Sequence, residues 1–119
     1  MTYYLISFNQ QWVGEHTEEW FRSRGVLARA VVAEMQAAGV VVFAGGLVED
    51  LDAAFRVALN DDGVEFRSNP YLADEQFIGG MTIVDVPDLE TAKMWAGKVA
   101  VACGWTQEVR AFGDQSTAS

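Results

Sequence analysis

The stretch from Asn69 to Val86 constrains the fold more than any other part of the sequence. Asn69–Pro70 predicts a turn, and residues 77–86 predict the longest strand of the chain. Because side chains alternate along a strand, its apolar residues fall on both sides: Met81 and Ile83 on one, and Ile78, Val84 and Val86 on the other. Two helices can cover only one of these faces. The second face therefore calls for a partner sheet, a ligand or both.

The remaining pattern predicts the order strand, helix, strand, hairpin, strand, helix, strand. The other strands are expected at residues 3–8, 40–44, 55–60, 64–67 and 106–112. Residues 40–44 are continuously apolar, which is typical of a strand buried on both faces. Asp61–Asp62–Gly63 predicts the hairpin turn, in which Gly63 supplies the positive φ.

Two helices are expected from capping residues and helical spacing. Thr17 caps the first, which runs to Ala38 and stops at Gly39, and Gly25 is a candidate break that would divide it. Asp88 caps the second, with a loop expected at residues 100–105. The predicted buried stripes are Leu27, Val31, Met35 and Ala38 in the first helix and Leu89, Ala92, Ala96 and Val99 in the second, with Trp95 beside it.

With the hairpin set aside, the order becomes β-α-β-β-α-β. This predicts an α+β chain of ferredoxin-like topology with an inserted β-hairpin, in which an antiparallel sheet carries two helices on one face. Residues 1–112 are expected to form a single domain and residues 113–119 a flexible C-terminal tail.

Composition excludes several classes of function. The net charge of -9 and the absence of a basic cluster argue against binding to nucleic acid or to an anionic membrane. The single cysteine, Cys103, suits a reducing compartment, and the first ten residues lack the features of a signal peptide. We therefore expect a cytoplasmic protein, and no motif indicates a cofactor or a metal.

Several ordered motifs resemble the YCII-related family, in particular its DGPF-type branch. Ser68-Asn69-Pro70-Tyr71 falls on the DGPF tetrapeptide, Gly79–Gly80 follows at the family's spacing, and 83–89 matches the strand-to-helix step. Residues 17–20, 37–40 and 107–110 also match, as do Ala92 and Trp95–Ala96, so the resemblance covers nearly the whole chain. It implies a dimer with an α/β-barrel-like assembly, in which two sheets pack together beside a cleft.

The chain departs from the family at positions that carry chemistry. Ser68 and Asn69 replace the Asp and Gly of the tetrapeptide, and Glu75–Gln76 replaces a Lys-Glu pair. In the shorter YCII branch a His and an Asp on the first helix are the suspected catalytic pair. Arg29 and Ala37 stand at those places here. The resemblance therefore implies the scaffold without its catalytic pair.

The candidate site residues are few. His16, the only histidine, is the candidate general base, although a surface residue before a helix cap is the more ordinary interpretation. The ligand-binding candidates are Trp12, Trp20, Tyr71, Glu75 and Trp95, although most aromatic residues simply fill cores. Cys103 is a weaker candidate nucleophile, since a small buried thiol is the commoner case.

Two functions are consistent with these observations. The first is a non-catalytic homodimeric domain that binds a small apolar or aromatic ligand or a regulatory partner. The second is a small lyase, isomerase or dehalogenase that acts on a cyclic substrate, with His16 as its base.

Overall fold

The protein is an α+β chain with antiparallel sheets, and this computed structural model describes residues 1–68 and 75–114. The regular elements are β1 (Thr2–Asn9), α1 (Glu18–Ala38), β2 (Val41–Gly46), β3 (Phe55–Asn60), β4 (Gly63–Ser68), β5 (Ile78–Val86), α2 (Leu89–Cys103) and β6 (Glu108–Ala111). Short 3₁₀ turns occupy Gln10–Trp12 and Leu51–Ala53. The predicted turn at Asn69–Pro70 lies outside the described residues.

The strands form a four-stranded sheet in the order β2-β5-β1-β6 and a separate two-stranded sheet, β3-β4. Each pairing is antiparallel, and β5 and β1 form the centre of the larger sheet. The register places Tyr4 opposite Val84 and Leu5 opposite Ile83, so alternate residues of both strands share a face. This arrangement is compatible with a ferredoxin-like α+β class.

The core lies between one face of the four-stranded sheet and the two helices. Ile6, Val84 and Val86 of the sheet and Met35 of α1 are completely buried there. Helix α2 contributes more buried residues to this core than α1 does: Ala92, Trp95, Ala96 and Val99. The small alanines let α2 lie close to the sheet, and the large Trp95 fills the space beside them.

Helix α1 is continuous through Gly25, so the candidate break does not divide it. The Trp20 N–H donates to Thr17 Oγ1 (3.1 Å), and Gly39 ends the helix with a φ of 71°, as predicted. The predicted buried stripe was only partly right. Met35 is buried, but Leu27 and Ala38 are exposed, because the helix presents the neighbouring face to the sheet.

Helix α2 begins as predicted at its Asp88 cap, which accepts a hydrogen bond from the Thr91 N–H (2.8 Å). It continues to Cys103, so the predicted loop at residues 100–105 was wrong over most of its length. Leu89, expected in the buried stripe, is about half exposed, and Ala102 is buried instead. Helix α2 extends about one turn further than predicted because Gly104, at a φ of 90°, forms its C-terminal cap.

Strand β2 is not buried on both faces, and that prediction was wrong. It lies at the edge of the sheet and pairs only with β5, so Val42 and Phe43 are exposed. Its register shifts between Val41 and Phe43, which leaves Val42 as an extra residue. A continuous apolar run thus marks a bulged edge strand here rather than a central one.

The glycine pair of β5 allows close packing across the sheet. Phe8 lies opposite Gly80, and Gly79 has no opposite residue on β1 because the register shifts there. A Cβ at Gly79 would come within 2.5 Å of the Phe8 ring, and one at Gly80 within 3.0 Å of the Gly45 carbonyl oxygen. Neither position has room for a side chain, so glycine lets the neighbouring groups approach closely there.

Apolar side chains also lie on surfaces that no helix covers. On the second face of the sheet, Leu5, Met81 and Ile83 are partly exposed and Phe43 is exposed. The β3-β4 hairpin concentrates its large apolar side chains on one face, all of them more than half exposed: Phe55, Val57, Leu59, Val64 and Phe66. The predicted turn is present, with Gly63 at a φ of 122°.

Candidate ligand-binding cleft

A cleft of about 650 Å³ lies between helix α1 and the helix-covered face of the sheet, and we call it the α1–sheet cleft. Its volume falls within the range of small-molecule sites. It is lined mainly by apolar side chains and bounded by residues of α1, the sheet and the end of α2: Phe8, Phe21, Arg24, Gly25, Ala28, Arg29, Val31, Val32, Gln36, Ala44, Gly45, Gly46, Met81, Thr82, Val99, Cys103, Trp105 and Gln107.

Small residues on opposite walls create the space. Gly25 and Ala28 occupy the α1 wall, and Ala44 and Gly46 occupy the β2 wall. None of these side chains extends beyond a methyl group, so the helix and the strand leave a gap that larger residues would fill. Towards the end of α1, Met35 is buried against the sheet.

Aromatic rings line one end of the cleft. The Phe8 and Trp105 ring centroids are 5.1 Å apart, and the Phe21 and Trp105 centroids are 6.5 Å apart. Trp20 lies behind them, with its ring centroid 6.2 Å from that of Trp105. Flat apolar walls of this kind suit a ring-containing ligand.

The charged residues of the lining are both cations. The Arg24 guanidinium donates to the Val101 carbonyl oxygen (3.0 Å) and lies 5.2 Å from the centre of the Trp20 ring. Arg29 lies against the backbone at Gly25, where its Nη1 would be 3.2 Å from an added Cβ. No aspartate or glutamate is among the lining residues of the described chain.

Two hydrogen-bond donors beside the cleft lack acceptors. Trp105 Nε1 and Gln107 Nε2 are closed off from solvent and have no hydrogen-bond partner in residues 1–68 and 75–114. Leaving a buried donor unpaired costs about 1–3 kcal/mol. Both residues belong to the lining, so the donors add partial positive charge to the same region as the arginines.

Cys103 contributes a thiol rather than a thiolate to the lining. Burial raises the pKa of the Cys103 thiol, and the nearby positive charge of Arg24 opposes that effect only in part. The protonated form is a weak nucleophile. Cys103 therefore acts as a small apolar wall residue at neutral pH.

His16, the candidate base, lies outside the cleft lining. Its ring stacks on Trp20 with centroids 3.5 Å apart and contacts the edge of Phe21 at 5.7 Å. Its Nε2 lies 2.9 Å from the Val13 carbonyl oxygen, which can only accept, so Nε2–H donates there. In the part of the chain that the structure describes, no carboxylate pairs with His16 to orient it as a base.

The predicted ligand-binding residues do not gather in one place. Trp20 stands behind the aromatic end of the cleft, whereas Trp95 is buried in the core with Lys98 Nζ 5.3 Å from its ring centre. Trp12 belongs to the 3₁₀ turn after β1 and Glu75 accepts a hydrogen bond from Gln11 through its carbonyl oxygen, both away from the cleft lining. Tyr71 lies outside the described residues.

The sequence reasoning missed the residues that define the cleft. Arg24, Arg29 and Trp105 received no ligand-binding role, although two signals were available. Cations are scarce in this acidic chain, and two of them lie one and a half turns apart on α1. Gly25 and Ala28 also interrupt the apolar stripe of the helix with small residues, which is the condition for a gap.

Comparisons with known proteins identify no relative of this chain. No protein-family model matches the chain, and a search of curated proteins finds no match. Among the described residues, histidine, cysteine and carboxylate side chains do not gather in groups of three that could hold a metal. No helix in the same residues is long and apolar enough to cross a membrane.

Proposed function

We propose that the protein is a homodimer related to the DGPF-type branch of the YCII-related proteins, and that it binds a small apolar or aromatic molecule without catalysis. The ordered sequence motifs support the relationship, and so does the strand order β2-β5-β1-β6 with both helices on one face. In this proposal β3-β4 is a hairpin inserted into a ferredoxin-like βαββαβ chain.

The observation that carries the ligand proposal is the α1–sheet cleft. It combines a volume of about 650 Å³ with largely apolar walls and aromatic rings at one end. Small-molecule sites have this composition, with a few polar groups that orient the ligand. Small residues on both walls, Ala28 and Ala44 among them, leave the gap open because their side chains do not extend beyond a methyl group.

The lining also favours binding over catalysis. A general base must come within hydrogen-bond reach of the proton that it removes, and His16 is not in the lining. The thiol of Cys103 is held in its protonated form. The alternative of a lyase, isomerase or dehalogenase would require His16 to reach the substrate past Trp20 and Phe21.

Filling the cleft tests the proposal. Ala28→Trp places an indole in the cleft, whereas Ala30→Trp makes the same change at an exposed position of α1 outside the lining. We expect 2-naphthamide and 2-naphthoate to raise the Tm of the wild-type protein and of Ala30→Trp, and to lose this effect in Ala28→Trp. Equal shifts in the two variants would show that these compounds bind elsewhere.

The dimer part of the proposal is supported by apolar surface that one chain does not cover. The hairpin face exposes roughly 500 Å² of aromatic and aliphatic surface, and the open sheet face adds Phe43 and the partly exposed Leu5 and Ile83. If the hairpin face and the open sheet face of one chain both pack against a second copy, the area buried on each chain approaches the roughly 800 Å² per partner of a stable interface. The radius of gyration, 16.3 Å, exceeds the roughly 13 Å of a compact domain of this length, as a protruding hairpin requires.

Adjacent residues of β3 provide a matched test of the dimer. Val57 belongs to the apolar face of the hairpin, and Ala58 faces the other way, opposite Glu65. We expect light scattering to give a dimer at micromolar concentration for the wild-type protein and for Ala58→Lys, and a monomer for Val57→Lys. A stable wild-type monomer at that concentration would overturn the dimer proposal and leave the ligand proposal intact.

A further inference from the structure

We infer that the ligand of the α1–sheet cleft is an aromatic acid, whose anionic group lies beside the guanidinium groups of Arg24 and Arg29 while its ring lies against Phe21 and Trp105. This inference rests on the proposed function, since it needs the cleft to be a ligand site. It adds the chemical class of the ligand, which neither the sequence motifs nor the apolar walls specify.

The distribution of charge carries the inference. The chain has 17 acidic and 8 basic residues, yet the charged residues of the lining are two arginines, and no carboxylate accompanies them. In so acidic a protein, a surface chosen without regard to charge would include carboxylates. The cleft is therefore a local region of positive potential in a molecule that otherwise repels anions.

The two arginines have complementary arrangements. Arg24 is held in place by the Val101 carbonyl oxygen and by the face of Trp20. Arg29 has no acceptor among residues 1–68 and 75–114, and its guanidinium lies against Gly25 at the cleft wall. A guanidinium without a partner presents a planar pair of donors that matches a carboxylate. One arginine is thus positioned and the other is available.

The lining points to the same chemistry. Its two guanidinium groups supply donors and it contains no carboxylate, so its charged part is rich in donors and poor in acceptors. A ligand that fits such a site brings oxygen atoms that accept. The Phe8, Phe21 and Trp105 rings require that the rest of the ligand be apolar, which favours a ring-bearing carboxylate over a small inorganic anion.

The test compares 2-naphthoate with 2-naphthamide, which share a ring system and differ in charge. We expect calorimetric titration of the wild-type protein to give a naphthoate affinity several-fold higher than the naphthamide affinity. Arg29→Gln is expected to lower the naphthoate affinity about threefold to fivefold, as for a partly exposed ion pair, and to leave the naphthamide affinity unchanged. Arg29→Lys should restore part of the loss.

Arg22→Gln is the matched control for net charge. Arg22 lies on α1 outside the lining and pairs with Glu18 at 3.3 Å, so its removal changes the total charge equally without touching the cleft. We expect this variant to bind naphthoate like the wild-type protein. Raising the salt concentration from 0.05 to 0.5 M should weaken naphthoate binding and spare naphthamide binding, because salt screens only the charged contact.

The outcomes separate the two proposals. Equal affinities for the two compounds, both abolished by Ala28→Trp, would overturn the acid-binding inference and keep the cleft as a ligand site. Equal effects of Arg29→Gln and Arg22→Gln on naphthoate would also overturn it, since only the total charge would then matter. If neither compound binds in a manner that depends on Ala28, the proposed function itself fails.

Discussion

Helices α1 and α2 cross the same face of one sheet, yet they are used in different ways. In the 15 residues of α2, five side chains are buried: Ala92, Trp95, Ala96, Val99 and Ala102. In the 21 residues of α1, only Met35 is buried to that degree. Residues of α1 between Phe21 and Gln36 instead form a wall of the cleft. Helix α2 therefore packs closely on the sheet, whereas α1 borders a cleft.

This difference arises from residue size at the positions that face the sheet. In α2 the alanines bring the backbone close to the strands, and Trp95 fills the remaining volume. On α1 the small residues Gly25 and Ala28 line the cleft opposite β2, which is also small at Ala44 and Gly46, and no large side chain crosses the gap. Small residues on α2 allow close packing against the sheet because Trp95 fills the space beside them. Small residues on α1 leave a gap because no large side chain fills it.

The largest contrast is expected from the two tryptophans of the helices. Trp95→Ala should lower the free energy of unfolding by about 3–5 kcal/mol, because it removes a large side chain that is 6 % exposed in the core. Trp20→Ala should cost about 1–2 kcal/mol, since Trp20 is only partly buried. Urea denaturation at a fixed protein concentration measures both. Equal losses would contradict the division of roles between the helices.

The glycines that end the two helices provide the next contrast. Gly39 and Gly104 both have positive φ, so alanine strains the backbone at either position. At Gly104 the added Cβ would also lie 2.8 Å from Cζ2 of Trp20, whereas nothing lies within 4 Å at Gly39. We expect Gly104→Ala to cost about 2–4 kcal/mol and Gly39→Ala about 1–2 kcal/mol.

A double variant separates the two contributions at Gly104. Combining Gly104→Ala with Trp20→Ala removes the clash and leaves the backbone strain, so the two losses should not add. Additive losses in urea denaturation would show that Trp20 does not restrict this position.

The same alanine-to-leucine change should have different effects in the two helices. Ala92 of α2 is fully buried, so Ala92→Leu should overpack the core and cost about 1–3 kcal/mol. Ala28→Leu extends into the cleft, and we expect a change within about 0.5 kcal/mol of zero. A large loss for Ala28→Leu would mean that the cleft is closed in solution.

The smallest contrast is the response of the two helix N-terminal caps to low pH. Hydrogen bonds from the Thr91 side chain and backbone lower the pKa of the Asp88 cap of α2 below its ordinary value of 3.8, whereas Thr17, the cap of α1, does not titrate. The contribution of Asp88 is therefore complete above about pH 3.8 and is lost as the pH falls through the lower folded pKa. The Tm of Asp88→Asn should converge on that of the wild-type protein as the pH falls below about 3.8.

The cap of α1 is the control for this acid effect. Thr17→Ala should lower the Tm by a similar amount throughout the same pH range, because a hydroxyl keeps its hydrogen bond to the Trp20 N–H as the pH falls. Convergence of this variant with the wild-type protein at low pH would mean that the acid loss arises elsewhere.

Much of the fold could be predicted from local patterns. Thr17, Asp88 and Gly39 mark helix ends through hydrogen bonds and backbone conformations that depend on a few neighbouring residues. The hairpin turn at Gly63 and the alternation along β5 are equally local. The prediction for β2 failed because an apolar run carries no information on whether a strand has one neighbour or two.

The cleft could not be predicted in the same way. His16 was the candidate base because it is the only histidine, but whether a side chain reaches a cavity depends on how separate elements pack. Trp105 follows the end of α2, and Arg29 lies in the middle of α1, 76 residues earlier in the chain. Their common location depends on the angle and distance between α1 and the sheet.

Residues that are neighbours in the chain account for the kinds of elements, for their ends and for the excess of apolar strand surface. Packing between distant elements accounts for the face of α1 that meets the sheet, for the position of β2 at an edge, and for the cleft that two arginines share with Trp105. These features depend on how side-chain volumes match across elements far apart in sequence. Small residues stand opposite one another at the cleft, and the gap exists only because both walls are small.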